Sequence, residues 1–301
     1  MSEMRAYLGP AAATVSIIFL GSSFVATRMI IADIEPALLA FIRHGIATLT
    51  LAPFLLFATR ARIPLTHLPI FLLLGFLQYG FFWFLLNSGL QHIPASRGAV
   101  IFSLIPILTV AVAVAGRIER LTGRKVTAGV LAVAGVSIAL GEKAFTAGAA
   151  TGWTGEALFL AGVCCGATYN VLANRMLRRY PVLPFSTMVV FCGVLTLIPF
   201  VAVEGAYVSL PALDGIGWWV VLFLAVPAGA FSMSLFNWAL TSMPASQAAV
   251  FVPLAPLTAT FLGWLLLDEI LTVAFLAGLA CVVAGIWLAN SRSALAADSA
   301  P

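Results

Sequence analysis

Apolar stretches recur along the whole chain, each interrupted by a short cluster of charges, prolines or glycines. A helix needs about 20 apolar residues to cross the hydrocarbon of a bilayer. That length predicts spans at Leu8–Ile31, Ala37–Ala58, Leu68–Leu90, Ala95–Ala115 and Val126–Leu140 in the first half. The second half adds Glu156–Leu177, Val182–Val203, Ile216–Leu240, Ala245–Leu267 and Val273–Ala289. The fifth is short, and crosses only if the bilayer thins locally or the helix enters from Leu121.

The interrupting charges set an orientation. With the N-terminus cytoplasmic, Arg5, Arg60, Arg62, Arg117, Arg120, Arg124 and Lys125 fall inside, followed by Arg175, Arg178, Arg179 and Arg292. The acids Asp33, Glu35, Glu142, Glu204, Asp214, Asp268 and Glu269 fall outside, where Lys143 is the one loop base. Ten spans with both termini cytoplasmic satisfy the positive-inside rule, and nine would break it. The first stretch has no small-x-small cleavage site after it and reads as an uncleaved span.

Composition agrees. The 301 residues are 62% hydrophobic and 9% charged, with mean hydropathy +1.10, whereas soluble domains are about 45–50% apolar and about 25% charged. No soluble core could take in that much apolar surface, so the solvent is lipid. The net charge of +4 comes from short basic runs between spans, which argues against a nucleic-acid partner. Cys164, Cys165, Cys192 and Cys281 all lie in apolar stretches, with no CxxC and no Cys/His cluster. They read as small packing residues, and neither a metal nor a cofactor is expected.

The chain also matches itself at a constant offset of 150 positions. Asn87 aligns with Asn237, Leu90 with Leu240, and Pro94-Ala95-Ser96 with Pro244-Ala245-Ser246. Further along, Pro106 aligns with Pro256, Glu119 with Glu269 and Gly135 with Gly285. Earlier matches, Gly21 with Gly166 and Pro36 with Pro184, require small gaps. Each copy holds five spans, an odd number, so the second enters the membrane upside down. The loops record the inversion: Arg117–Lys125 is basic, while its equivalent carries Asp268 and Glu269. Inverted repeats let one site open to either side by exchanging the conformations of two similar halves.

With Leu20-Gly21-Ser22-Ser23-Phe24-Val25-Ala26-Thr27-Arg28 in span one, Arg43 in span two and two Pro-Ala-Ser entries, the chain resembles the EamA-like family of the drug/metabolite transporter superfamily. The endings Pro106…Glu119 and Pro256…Glu269 fit as well, while Leu20 and Arg28 stand where that family usually has Trp and Lys. The resemblance covers nearly the whole chain, with one repeat at 8–141 and the other at 153–290. It implies an all-α integral membrane protein of the bacterial inner membrane, with ten transmembrane helices as two inverted five-helix repeats around a central cavity. Spans one to four and six to nine would surround the cavity. The fifth and tenth would act as a scaffold or as the contact surface of a homodimer. Ala128 and Gly135, like Gly278 and Gly285, lie seven apart and put small residues on one face, suited to close helix packing.

Near the midplane lie Ser22 and Ser23 of span one, Gln78, Tyr79 and Trp83 of span three, Thr168, Tyr169 and Asn170 of span six, and Ser232 of span eight. Drawn from four helices, they form the expected substrate cavity, with Tyr79, Trp83 and Tyr169 as an aromatic wall for an apolar or cationic group. Arg28, Arg43 and Arg97 lie toward the outer ends of their helices. Guanidinium forks there could gate or bind a carboxylate or phosphate; alternatively they snorkel to the interface or pair with Asp33 and Glu35. For Arg43, the deepest, a buried partner or binding site is as open as the interfacial reading, while His44 beside it reads as a packing residue. Pro106 and Pro256, equivalent prolines inside spans four and nine, are expected hinges, since proline removes an amide donor and kinks the helix. Pro94 and Pro244 read as helix starts, and Asn87 and Asn237 as symmetric gate residues.

No carboxylate occupies the middle of a span, which disfavours proton exchange on an embedded acid. The sequence carries no P-loop, so ATP is not the energy source. A secondary carrier for a small organic metabolite, exporting amino acids or their derivatives, fits these features. The alternative is an integral-membrane enzyme acting on lipid, but His44, His67 and His92 are scattered and no acid–base cluster accompanies them.

Overall fold

The computed structural model describes residues 2–30, 33–57, 64–90, 92, 95–146, 153–204, 213–267 and 272–290, and every regular element among them is helical. Arg60, Arg62, Pro94, Asp268, Glu269 and Arg292 lie outside the described residues, as do the side chains of Arg28, Asn87 and Arg97. Nine stretches among the described residues are long and apolar enough to cross a membrane. Their outer faces carry Leu49, Trp219 and Trp287, each at least 70% exposed. So much apolar surface is wrong for water and right for lipid.

The first two spans are single helices, α1 (Ser2–Ile30) and α2 (Pro36–Phe57). The third is built from α3 (Leu68–Gly75), a π-helical turn at Phe76–Phe81 and α4 (Phe82–Leu90). The fourth is broken: α5 (Ala95–Phe102) ends at a turn, and α6 (Ile105–Ala115) begins with Pro106 in its first turn. α7 (Gly123–Thr146) extends beyond the expected fifth span at both ends. Its 24 residues reach about 36 Å at 1.5 Å per residue, but it is not among the nine stretches apolar enough to cross.

The second half follows the same plan. α8 (Thr154–Leu177) and α9 (Val182–Glu204) are continuous. α10 (Gly215–Ala225) starts where Asp214 accepts a 2.7 Å hydrogen bond from the Gly217 amide, a side-chain cap for one of the first-turn donors. A second π-helical turn, Val226–Phe231, leads into α11 (Ser232–Ser242). α12 (Ala245–Ala249), preceded by Pro244 in extended conformation, and α13 (Leu254–Leu267) form a second broken span, and α14 (Val273–Asn290) is the last described helix. The two π turns stand 150 positions apart, and so do the breaks before α6 and α13 to within one residue. Pro106 and Pro256 therefore sit at the starts of new helices and not as kinks within continuous ones. A missing proline amide costs nothing in a first turn.

Packing between the halves follows exchanged pairs. α1 packs on α11 and α13, while α8 packs on α4 and α6; α2 meets α9 and α10, while α9 meets α2 and α3. α7 and α14 pack along each other, antiparallel, since Gly135 meets Gly278 while Gly285 meets Ala128. A Cβ on Gly135 would stand 2.6 Å from the Gly278 carbonyl oxygen, a Cβ on Gly278 closer still to the Gly135 carbonyl, and one on Gly285 2.9 Å from the Ala128 carbonyl. The small residues spaced seven apart thus let two backbones touch. At one end of this pair the Arg124 guanidinium donates to the Leu288 carbonyl at 2.7 Å.

Buried polar groups fasten other helices. Asn174 donates to the Leu240 and Met243 carbonyls at 2.6 and 3.1 Å, holding α8 to the end of α11. Glu119, in the loop after α6, accepts from the Ser246 hydroxyl and, at 3.3 Å, from the Ser246 amide at the start of α12. The same carboxylate pairs with Lys125 at 3.1 Å, both side chains 9% exposed.

Candidate functional site

A cavity lies where the two π turns face each other across the bundle. One π turn supplies Gln78 and Tyr79, the other Ala228 and Gly229. A π turn inserts one residue into an α-helix and re-aims the side chains beside it, which is why such turns recur at functional sites. Arg43 and His44 of α2, Phe82 and Trp83 of α4, and Asn170 of α8 continue the lining. Ser16, Ile17 and Leu20 of α1 face Ser232, Met233 and Phe236 of α11, and Phe102 and Val252 sit at the two helix breaks. The space open to water centres is about 70 Å3. One water needs about 10–15 Å3 on that measure, so the cavity has room for roughly five to seven.

The lining reproduces the repeat. Ser16 and Gly166, Leu20 and Asn170, Gln78 and Ala228, and Tyr79 and Gly229 are pairs at the 150 offset. Phe82 with Ser232, Trp83 with Met233, and Phe102 with Val252 complete the set. The contacts pair likewise. Ser16 and Ser232 exchange hydrogen bonds, each hydroxyl donating to the other's carbonyl at 2.8 and 2.9 Å. In the equivalent place Gly166 lies under the Phe82 ring, which a Cβ would approach to 2.9 Å. α1 and α8 therefore match at 150 without the small gap expected from Gly21 and Gly166.

The polar end of the cavity is short of partners. Arg43 is 5% exposed and its Nε has no hydrogen-bond partner. Its guanidinium carbon stands 5.1 Å from the centre of the Trp83 ring, a cation–π contact. Both His44 ring nitrogens and the Tyr79 hydroxyl are buried without a partner, and the two rings meet edge-on at 4.8 Å. Among the described residues no acid lines the cavity, and the His/Cys/Asp/Glu side chains form no cluster able to hold a metal ion.

Two segments, residues 8–141 and 153–291, match the model of the EamA-like transporter family. The chain belongs to that family. It is 27% identical to the uncharacterized transporter YetK of Bacillus subtilis over 95% of this chain and 87% of that protein. An uncharacterized transporter of Archaeoglobus fulgidus is 26% identical over 91% of this chain and 95% of its own. A probable terminal-alkyne amino-acid exporter of Streptantibioticus cattleyicolor is 23% identical over 94% and 93%. A crystal structure at 20% identity superposes with TM-score 0.78, covering 97% of this chain and 99% of the other; at that identity it speaks for the fold alone.

Of the EamA-like chain's expected cavity residues, Arg43, Gln78, Tyr79, Trp83, Asn170 and Ser232 come together. Ser22 and Ser23 do not line the cavity; their hydroxyls donate to Ile18 and Leu20 carbonyls of their own helix. Thr168 likewise donates to Cys164. Tyr169 is fully buried behind the cavity, its hydroxyl donating to Asn237 at 3.0 Å, and Asn237 donates to Ser186 at 2.9 Å. Asn237 thus joins α8, α9 and α11 inside the core. The aromatic wall is made by Trp83 with Phe82 and Phe102, Phe82 meeting Trp83 edge-on at 5.3 Å, and Tyr169 has no share in it. Pro106 and Pro256 are buried just outside the lining. Arg28, Asn87 and Arg97 are placed only by their backbones, in α1, α4 and α5. Ser16 was absent from the expected set and nothing in the sequence singled it out, whereas His44 was signalled by its place beside Arg43.

Proposed function

We propose that this chain is a secondary carrier that exports small organic metabolites, amino acids or their derivatives, by alternating access between two inverted repeats of five spans each. The observation that carries the proposal is the cavity lining, assembled from positions 150 apart in the two halves. Inversion is supported by α7 and α14, equivalent helices that run antiparallel and swap partners: Gly135 meets Gly278 as Gly285 meets Ala128. A two-fold axis lying in the membrane plane produces that exchange. The named amino-acid exporter among the relatives supports the substrate range and direction. In this reading the protein sits in a bacterial inner membrane with both termini cytoplasmic, and Pro106 and Pro256 mark the joints of the moving helices. The outer faces of α7 and α14, exposing Ile138, Val283 and Trp287, turn to lipid and to a second copy of the chain.

Purified protein in liposomes loaded with unlabelled metabolites should accumulate the labelled counterpart by counterflow for at least one class of amino acid or derivative. Inactivity across a broad metabolite panel, with turnover of a lipid substrate, would sink the carrier reading. Topology is tested separately, in a variant cleared of its four cysteines. Arg120→Cys and Ile270→Cys should react with impermeant maleimide from opposite sides of the membrane, and same-side labelling refutes the inversion.

A further inference from the structure

Resting on the carrier reading, we infer that the cavity selects a net-anionic solute, a monocarboxylate with a small apolar body, and that Arg43 is its anchor. The argument starts from a buried charge. Arg43 is almost inaccessible, has an unmet Nε donor and has no carboxylate within ion-pair reach among the described residues. A guanidinium keeps its charge and carries five N–H donors in a fork that matches a carboxylate. Burying it without a counter-charge is costly. The Trp83 face attracts the charge but accepts no hydrogen bond of carboxylate strength, so it offsets only part of that cost.

The surroundings narrow the solute further. His44 and the Tyr79 hydroxyl, both unpartnered, stand at the same end of the cavity, ready to complete the bonding of an oxyanion. Away from them the walls are Ile17, Leu20, Phe82, Phe102 and Phe236, which suit a hydrocarbon group. Among the described residues the lining holds no acid. Gln78, Asn170 and the serines can accept hydrogen bonds, but none neutralises an ammonium, and Arg43 repels one. Taking an ammonium out of water without a counter-charge is costly. A keto acid, an N-acylated amino acid or another monocarboxylate therefore fits better than a free amino acid, and an amine fits worst.

A charge series tests this on the full-length protein in detergent, by calorimetric titration. Each of three skeletons (branched aliphatic, aromatic and short-chain) is presented as 2-oxo acid, N-acetyl amino acid, free amino acid, amino-acid amide and N-acetyl amide. The oxo and N-acetyl acids should bind on at least one skeleton, about tenfold or more tighter than the free amino acid, with no binding of the amides. Arg43→Gln should weaken the acids about 10- to 100-fold, the range for a charged hydrogen bond, and Arg43→Lys should recover part of it. Equal or tighter binding of amino acids or amides overturns the inference, as does an unchanged affinity in Arg43→Gln or absence of acid binding on every skeleton. If the variants do not fold, the wild-type ranking decides alone. Counterflow of metabolites without preference for anions would overturn the anion site and leave the carrier standing, whereas absence of counterflow for all of them removes the carrier itself.

Discussion

Gly278→Val should abolish most of the folded protein, the largest single effect expected anywhere outside the cavity. The reason is backbone meeting backbone. A Cβ on Gly278 falls inside contact distance of the Gly135 carbonyl, 2.6 Å from the Ala139 Cβ and 2.9 Å from the Ala139 amide nitrogen. Neither the carbonyl nor the amide can rotate away, so α7 and α14 must separate along their length. Overpacking a fitted interior costs about 1–3 kcal/mol and sometimes more, and a contact that no rotamer change relieves belongs at the upper end. Fluorescence-detected gel filtration of a fusion protein should show aggregate in place of the monodisperse peak. Gly123→Ala, where a Cβ meets nothing within 4 Å, should run as wild type. A wild-type melting temperature in Gly278→Val would mean the two helices do not approach as closely as described.

Glu119→Ala should be next. The carboxylate serves three donors, Lys125 and the amide and hydroxyl of Ser246, so its loss frees the loop after α6 from the start of α12. Removing one member of a buried ion pair costs about 3–5 kcal/mol. Glu119→Gln, which can still accept from Ser246, should lie between alanine and wild type. The coupling is read by a double-mutant cycle: Glu119→Gln with Lys125→Met should be less destabilised than the sum of the two singles. Strict additivity would show that the pair is not coupled. Counterflow measured on the same variants reports whether this bond between the halves also limits transport.

Much of the architecture was legible because membrane solvent imposes a coarse rule. Each apolar stretch had to be a helix, and the start of α3, the end of α4 and the start of α12 fall where charge and proline placed them. The 150 offset carried further than expected, since it also generates the cavity lining. What hydropathy could not give was depth and azimuth. Successive helical residues point about 100° apart, so Thr168, Tyr169 and Asn170 could not all face one space, and only Asn170 does. Ser23 shares a helix face with Ser16 but lies two turns further along, beyond the lining. The π turns were invisible to periodicity, because an inserted residue shifts the phase without changing composition. The closeness of the Arg43 guanidinium to Trp83 also depends on a phase that such a turn sets.

The paired lining has one more consequence. Position for position the halves share geometry, yet Ser16 and Ser232 occupy one contact while Gly166 and Phe82 occupy its twin, and Arg43 serves a cavity whose other flank is apolar. Exchanging the conformations of the halves restores the shape of the bundle but not its free energy. In a carrier built this way the inward-facing and outward-facing forms are unequally populated before any solute arrives. A solute then moves the equilibrium only through the difference in its affinity for the two forms. Under the proposed alternating access, the diverged chemistry of the two halves gives the resting protein a preferred side.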